Sequence, residues 1–301
     1  MKILITGGGL LGQYLNLELS KENDILTLYN KKIGNCLDFK SVKLDITNFQ
    51  QLEKTFGNFL PHIVIHTASI SNPQSANILN PKAVYDVNVN ATKKIAELCE
   101  KYKAKLIYTS TDLVYAGYRS SMLKEDAKLI PISIYAETKL MGEVKIQETF
   151  DNYLILRMAL MFGFGLNHSK NHFSQMYEDL KNNKKVKLFY DQFRTPFSLL
   201  EAARIISNLC KVDAKGEIIN TGGKERLSRV ELGEMLCDKA GLDKSLIEKI
   251  SMEEFKDLAM VADVSMNTEK LQSLGIKIKS VEESITETLS VILRSKATKN
   301  L

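Results

Sequence analysis

The chain has 301 residues, of which 44% are hydrophobic and 26% are charged, and its formal net charge is +5. This length and composition are enough for a full hydrophobic core, and the spread of the lysines along the chain does not indicate nucleic-acid binding. No apolar run approaches the ~18 residues of a membrane-spanning helix. The four cysteines are scattered without metal-ligand spacing, so we expect a reduced, cytoplasmic protein with no metal and no membrane contact.

Short apolar strands alternate with amphipathic helices along the first half of the chain. The predicted strands are residues 2–6, 25–29, 42–46, 63–67, 105–109 and 153–158. The main predicted helices follow the first, third, fourth and fifth of these strands, where apolar residues recur at helical spacing. Several of the strands are apolar on both faces, which is typical of a parallel sheet covered by helices on both sides. The sequence therefore predicts an α/β fold, a Rossmann-type doubly wound parallel sheet that binds ligands at its C-terminal edge.

The regular alternation weakens after about residue 160. Helical patterns follow at 173–182, 198–210, 228–240 and 281–294, with short strands near 186–190 and 217–221. We expect residues 1–162 to form an NAD(P)-binding domain that also receives a returning segment near 191–222. Residues 163–190 and 223–301 are expected to form a smaller C-terminal substrate-binding lobe.

A glycine-rich loop, TGGGLLG at residues 6–12, joins the first predicted strand to its helix. Three of its glycines match the pattern G-x-G-x-x-G, which allows a tight turn and close approach of a pyrophosphate to free N–H groups at a helix N-terminus. The alternative is a glycine-rich turn without a ligand. The predicted cofactor contacts in this loop are Gly7, Gly9, Leu10, Leu11 and Gly12.

The second predicted strand ends in Asn30, Lys31 and Lys32. An acid at this position bonds the adenosine ribose in many NAD-binding proteins. Here the acid is missing, and the two lysines match a ribose 2′-phosphate better than a hydroxyl. We therefore expect these three residues to contact the cofactor and NADP(H) to be favoured over NAD(H), unless both lysines are ordinary loop charges.

Four later strand ends are expected to face the same cofactor. The residues after the third strand could contact the adenine, and those after the fourth would lie beside the ribose and nicotinamide. The histidines near the fourth strand are interpreted as core residues and not as metal ligands. The predicted contacts at these strand ends are Asp45, Ile46, Ala68, Ser69, Thr109 and Met158.

The candidate catalytic residues are Tyr135 and Lys139 in YAETK, together with Ser110, Thr111 and Asp112 after the fifth strand. Residues four apart share a helix face, and an ammonium lowers the pKa of a neighbouring phenol from ~10 towards neutrality. The hydroxyl of Thr111 could hydrogen-bond a carbonyl oxygen while Tyr135 transfers a proton. The alternatives are a solvated helix face and hydroxyls that only cap a loop.

These motifs together resemble the extended short-chain dehydrogenase/reductases. The matching stretches are TGGGLLG, DIT at 45–47, STDLVY at 110–115 and YAETKLMGE at 135–143. Within that family the chain looks most like the dTDP-4-dehydrorhamnose reductase (RmlD-like) group, whose D-Q-x-x-x-P segment resembles residues 191–196. The resemblance implies NAD(P)H-dependent reduction of a nucleotide-linked 4-keto sugar in deoxysugar or polysaccharide biosynthesis. The resemblance is also compatible with a homodimer.

The resemblance also implies roles for individual residues. Thr111 would orient the 4-keto group, Tyr135 would donate the proton, and Lys139 would bind the nicotinamide ribose and lower the tyrosine pKa. Asn88 matches an asparagine of the family and is assigned to the cofactor site. Arg194, like Ser110 and Asp112, is assigned to the substrate site.

Three departures from the family pattern keep other functions open. The glycine loop is one residue shorter than usual, Ala91 replaces a frequent glycine, and Val261-Ala262 stands where an Arg-Pro often precedes the aspartate. The missing arginine weakens the case for the usual dTDP-sugar, because a guanidinium is a natural phosphate partner. The alternatives are a sugar-nucleotide epimerase or dehydratase, and a non-catalytic NADP-binding regulatory subunit.

Overall fold

The computed structural model describes residues 1–71, 80–118, 120–166, 171–255 and 260–297. Its strands are β1 (Lys2–Thr6), β2 (Asp24–Tyr29), β3 (Ser41–Lys43), β4 (Ile63–His66), β5 (Lys105–Thr111), β6 (Tyr153–Met158), β7 (Met161–Phe162), β8 (Val186–Phe189), β9 (Phe193–Arg194), β10 (Phe197–Ser198), β11 (Glu217–Thr221), β12 (Leu227–Ser228) and β13 (Ile247–Ile250). Its α-helices are α1 (Leu10–Leu19), α2 (Phe49–Phe59), α3 (Pro81–Tyr85), α4 (Ala91–Tyr102), α5 (Ile134–Gln147), α6 (His172–Lys181), α7 (Leu199–Leu209), α8 (Arg229–Ala240), α9 (Glu269–Ser273) and α10 (Val281–Ala297).

A seven-stranded sheet in the order β11-β6-β5-β4-β1-β2-β3 forms the centre of the molecule. Every pairing within it is parallel. The chain runs outward from β1 to β3 at one edge and then returns to place β4 on the other side of β1. The strand order therefore reverses between β1 and β4, the position at which doubly wound sheets bind ligands. The predicted Rossmann-type fold is confirmed.

Helices cover both faces of this sheet, because successive side chains of each strand point to opposite faces. Ile3 and Ile5 of β1 belong to the core cluster under α1 and α7. Leu4 belongs to the cluster on the opposite face, under α2 and α4. Burial on both faces is the reason these strands read as continuous apolar runs.

A third core cluster lies outside the two faces of the sheet. Its aromatic part is formed by Phe162, Phe164 and Phe173, and its aliphatic part includes Leu236 and Ile285 from α8 and α10. Strands β8 and β13 pair in parallel beside it. In contrast, β11 lies in the second half of the chain but pairs with β6 at the edge of the central sheet.

The long helix expected over 84–102 is divided in the structure. It begins earlier, at Pro81 after the cap residue Asn80, and passes through a π-helical turn at Asp86–Asn90 before α4 continues. A π turn contains one extra residue per turn and often lies at a functional site. The predicted third strand is shifted as well, from 42–46 to Ser41–Lys43.

Candidate active site

The glycine loop between β1 and α1 leaves open space for a ligand. Gly7 has φ of +102°, and a Cβ there would lie 2.9 Å from the Thr67 hydroxyl. A Cβ on Gly12 would lie 1.9 Å from the Gly7 carbonyl oxygen, so α1 packs directly on the turn. A Cβ on Gly9, the N-cap residue of α1, would have no neighbour within 4 Å, and no side chain caps this helix end. The loop therefore fits a dinucleotide pyrophosphate.

A cavity of about 1890 Å³ extends from this loop along the C-terminal edge of the sheet. It is lined by residues from the ends of β1, β4, β5 and β6, which are neighbours in the sheet. Eighteen of the predicted site residues line it. They are Gly7, Gly9, Leu10, Leu11, Gly12, Asn30, Lys31, Lys32, Asp45, Ile46, Ala68, Ser69, Thr109, Ser110, Thr111, Asp112, Tyr135 and Met158.

Asn88 does not line the cavity, although the sequence assigned it to the cofactor site. Its side-chain carbonyl accepts from the Ile70 N–H at 2.9 Å, and its amide donates to the Ile70 carbonyl at 3.2 Å and to the Thr138 hydroxyl at 3.0 Å. These contacts join the π turn to the segment after β4 and to α5. Asn88 therefore positions the helix that carries Tyr135, and its direct contact with the cofactor stays a prediction.

Tyr135 and Thr111 both line the cavity, and the Thr111 hydroxyl acts to lower the pKa of the Tyr135 phenol. Burial and the negative charge of Asp112 nevertheless raise the pKa of Tyr135 to about 12. The prediction that Lys139 lowers this pKa is wrong for this arrangement, because burial and repulsion from Asp112 dominate.

Lys139 is buried behind the cavity wall instead of lining it. Its Nζ lies 3.9 Å from the centre of the Tyr108 ring, and Tyr108 in turn stacks beside His66 with ring centres 5.4 Å apart. Burial lowers the pKa of Lys139 to about 7, although Glu143 acts in the opposite direction. The lysine is therefore poised to exchange a proton near neutral pH.

The hydroxyl-rich end of β5 has the capping role considered from sequence. Thr111 accepts a hydrogen bond from the Leu113 N–H at 3.2 Å and donates one to Asp112 at 3.1 Å, so it does cap the short turn after β5. Ser110 donates to Glu143, which forms a buried ion pair with Arg157 at 2.8 Å. The ion pair joins β6 to α5 and so fixes the position of the helix that carries Tyr135.

Positively and negatively charged side chains both lie at the end of the cavity that is next to β2 and β3. The Asn30 amide donates to Asp45 at 2.9 Å. Asp45 also accepts from the backbone and hydroxyl of Thr47, and these bonds lower its pKa. Lys31 and Lys32 are exposed at the cavity rim. An ionised acid therefore does lie near the end of β2, but the segment after β3 supplies it.

Arg194 and Arg229 lie at the opposite end of the site. Arg194 is buried behind the cavity wall, with Nε 3.5 Å from Asp112. Arg229, the first residue of α8, lines the cavity itself. Sequence reasoning missed Arg229, because a single arginine at a helix start carries no local signal. The apolar wall of this lobe was also missed, and it includes Phe162, Phe173, Met176, Leu188 and Leu232.

Within the described ranges, the histidine, cysteine, aspartate and glutamate side chains form no group of three or more that could hold a metal ion. Among the helices that the structure describes, none has both the length and the apolar character needed to cross a membrane.

A family model and several known proteins match most or nearly all of this chain. Residues 1–293 match the family described as RmlD substrate binding domain. The dTDP-4-dehydrorhamnose reductase of Aggregatibacter actinomycetemcomitans is 28% identical over 222 residues, 73% of this chain and 71% of that protein. Methionine adenosyltransferase 2 subunit beta of Xenopus laevis is 27% identical over 290 residues, 91% of this chain and 83% of that protein. The solved dTDP-4-dehydrorhamnose reductase from Bacillus anthracis str. Ames, in complex with NADP, has a TM-score of 0.83 at 26% identity, covering 96% of this chain and 98% of that one.

Proposed function

We propose, since the chain belongs to the RmlD substrate binding domain family, that it is an NAD(P)H-dependent oxidoreductase that reduces the 4-keto group of a nucleotide-linked sugar. The observation that carries the proposal is that Thr111 and Tyr135 both line a cavity that begins at the open glycine loop. The proposed setting is deoxysugar or polysaccharide synthesis in the cytoplasm.

The proton is donated by Tyr135. A phenol with a pKa of about 12 stays protonated at neutral pH, so Tyr135 holds the proton that it is to donate. The alkoxide formed when a ketone is reduced is far more basic than a phenolate, so this proton transfer is favourable despite the raised pKa. The bound nicotinamide supplies the hydride. Thr111 donates its hydroxyl proton to Asp112 in this structure and would turn that proton to the carbonyl oxygen of the substrate.

Lys139 lies on the same helix as the proposed donor. Near neutral pH it is divided between ammonium and amine, so it can exchange a proton. We retain the proposal that Lys139 contacts the nicotinamide ribose. This contact requires its Nζ to leave the Tyr108 ring.

NADP(H) is the proposed cofactor, in preference to NAD(H). Lys31 and Lys32 at the cavity rim match a 2′-phosphate, and the Bacillus anthracis relative was solved with NADP. Asp45 opposes this preference, because its carboxylate lies next to Asn30 and would repel a phosphate. Michaelis constants for NADPH and NADH measured side by side decide between the two cofactors.

A second candidate function is a non-catalytic, NADP-binding regulatory subunit. The relative named methionine adenosyltransferase 2 subunit beta spans 91% of this chain, which is the observation that favours it. Such a protein has no need of Tyr135 and Thr111 together in the lining of an open cavity. We therefore prefer the reductase to this candidate and to an epimerase or dehydratase.

The proposal is tested by following NADPH consumption with a panel of 4-keto sugar nucleotides. The reductase predicts consumption that depends on the keto sugar and stops when it is exhausted. If NADPH binds but no sugar nucleotide causes its oxidation, the regulatory candidate replaces the reductase.

A further inference from the structure

Two successive backbone carbonyls of the segment after β7 are bound by side chains of two different helices. The Gly163 carbonyl accepts from the side-chain amide of Asn171, the N-cap residue of α6, at 3.0 Å. The next carbonyl, that of Phe164, accepts from the phenol of Tyr14 on α1 at 2.7 Å. Tyr14 belongs to the core cluster under α1 and α7, whereas Phe164 belongs to the third cluster. The Tyr14 hydrogen bond therefore joins the helix that follows the glycine loop to a separate part of the core.

Tyr14 makes this contact from behind the cavity. Residues 10–13, which precede it on α1, all line the cavity, but Tyr14 itself does not. Its side chain has an exposed fraction of 3%, and burial raises the pKa of its phenol to about 12. The phenol thus stays protonated at neutral pH and keeps the proton that it donates to the carbonyl.

The ring of Phe164 carries the contact on to the cavity wall. It packs edge-on against Phe173 and Tyr177 of α6, with ring centres 5.5 Å and 5.1 Å away. The Phe173 ring centre also lies 5.2 Å from that of Phe162, and these two residues line the cavity. Because side chains in a close-packed core interdigitate with few voids, a displaced Phe164 would displace Phe173 as well. The position of this wall therefore depends on where the Phe164 backbone is held.

We propose that Tyr14 is a positioning residue for the sugar nucleotide: by holding the Phe164 carbonyl, it fixes the Phe162–Phe173 wall against which the substrate packs. Tyr14 touches neither the reacting atoms nor the cavity, so it acts only through Phe164. The inference rests on the proposed function and adds to it a residue on the cofactor-side helix that sets substrate affinity. A hydrogen bond that only stabilises the fold would contribute to the free energy of unfolding and leave that affinity unchanged.

Calorimetry with dTDP-glucose and NADPH as the probes distinguishes these two roles. Tyr14→Phe keeps the ring but leaves the Phe164 carbonyl without its donor. The affinity for dTDP-glucose should fall about 3- to 10-fold, the range of one neutral hydrogen bond, whereas NADPH affinity should stay the same. In turnover of a keto-sugar nucleotide, KM should rise by a similar factor at unchanged kcat. The matched control is Tyr153→Phe, which removes the same atom from a buried tyrosine outside the cavity lining and should change neither affinity.

A second variant, Phe173→Leu, tests the route even if Tyr14→Phe folds poorly. Phe173→Leu should itself weaken dTDP-glucose binding, because it removes part of the wall. Adding Tyr14→Phe to it should then cost little further affinity, since both changes act on the same contact. Fully additive losses in the double variant, or wild-type dTDP-glucose affinity in Phe173→Leu alone, would overturn the inference.

Two further results would contradict the positioning role. If Tyr14→Phe unfolds at a lower temperature but binds dTDP-glucose as the wild type does, the hydrogen bond is only structural. Loss of NADPH affinity in place of dTDP-glucose affinity would assign Tyr14 to the cofactor site. Failure of the reductase proposal is separate, because it means no keto-sugar-dependent NADPH oxidation even where Tyr14→Phe weakens dTDP-glucose binding.

Discussion

At the scale of single residues, Tyr135 is the proposed proton donor, and its neighbours explain the raised pKa of its phenol. Sequence spacing placed Lys139 on the same helix face and predicted a lowered phenol pKa. The structure instead brings Asp112 near the phenol and seats the lysine on the Tyr108 ring. No local pattern could predict this, because Tyr108 and Asp112 reach the site from β5 through tertiary packing.

Tyr135→Phe tests the proton donor. The variant should lower turnover by about 10²- to 10⁴-fold, as expected when a general acid is lost, whereas NADPH affinity should change little. Steady-state kinetics and calorimetry measure the two quantities. Tyr190→Phe is the control, because Tyr190 is exposed and lies outside the cavity lining. Unchanged turnover in Tyr135→Phe would remove this residue from the mechanism.

Lys139 makes stability depend on pH in a definite direction. Its pKa is about 7 in the folded protein and ~10.4 in an unfolded chain. Between these values the unfolded state binds more protons, so wild-type stability rises with pH across this window. Lys139→Met removes this group, and its stability relative to the wild type should therefore fall by a few kcal/mol between about pH 6.5 and 9.5.

Urea unfolding at several pH values measures this difference. Lys43→Met serves as the control, because Lys43 is exposed and its removal should leave the pH dependence as it is. A constant difference between Lys139→Met and the wild type over the same range would show that Lys139 is not buried as an amine.

The glycine loop and the helix after it act as one element. The G-x-G-x-x-G pattern predicted both the tight turn and the open helix end, and the structure has them at Gly7, Gly9 and Gly12. This part of the site is local in sequence, which is why it could be predicted. The π turn at Asp86–Asn90 could not, since its geometry depends on Asn88 bonding to Ile70 and Thr138.

Two alanine variants separate the folding role of the loop from its binding role. A Cβ on Gly9 meets no protein atom, so Gly9→Ala should fold normally but weaken NADPH binding about 10-fold or more, ~1.4 kcal/mol. A Cβ on Gly12 would clash with the Gly7 carbonyl, so Gly12→Ala should lose about 1–3 kcal/mol of stability as well. Thermal unfolding and calorimetry measure both effects. Normal NADPH affinity in Gly9→Ala would show that the pyrophosphate does not approach this loop.

At the scale of the whole molecule, the doubly wound parallel sheet was the most predictable feature. Alternating apolar strands and helices permit few topologies once crossovers are right-handed, and the central sheet is parallel with helices on both faces. The second half of the chain was harder, because its short strands pair with distant segments, as β13 does with β8. Arg229 was missed for the same reason, since only the folded lobe brings it to the cavity.

The central claim is that a hydride passes from the nicotinamide to carbon 4 of a nucleotide-linked keto sugar. The most direct measurement uses NADPH carrying deuterium at the transferable position, and it locates the label in the product by NMR. The account predicts deuterium at carbon 4 of the reduced sugar, still attached to its nucleotide, and labelling that is about 10²- to 10⁴-fold slower with Tyr135→Phe under the same conditions. Label at another carbon, or a fully unlabelled product, would contradict the account.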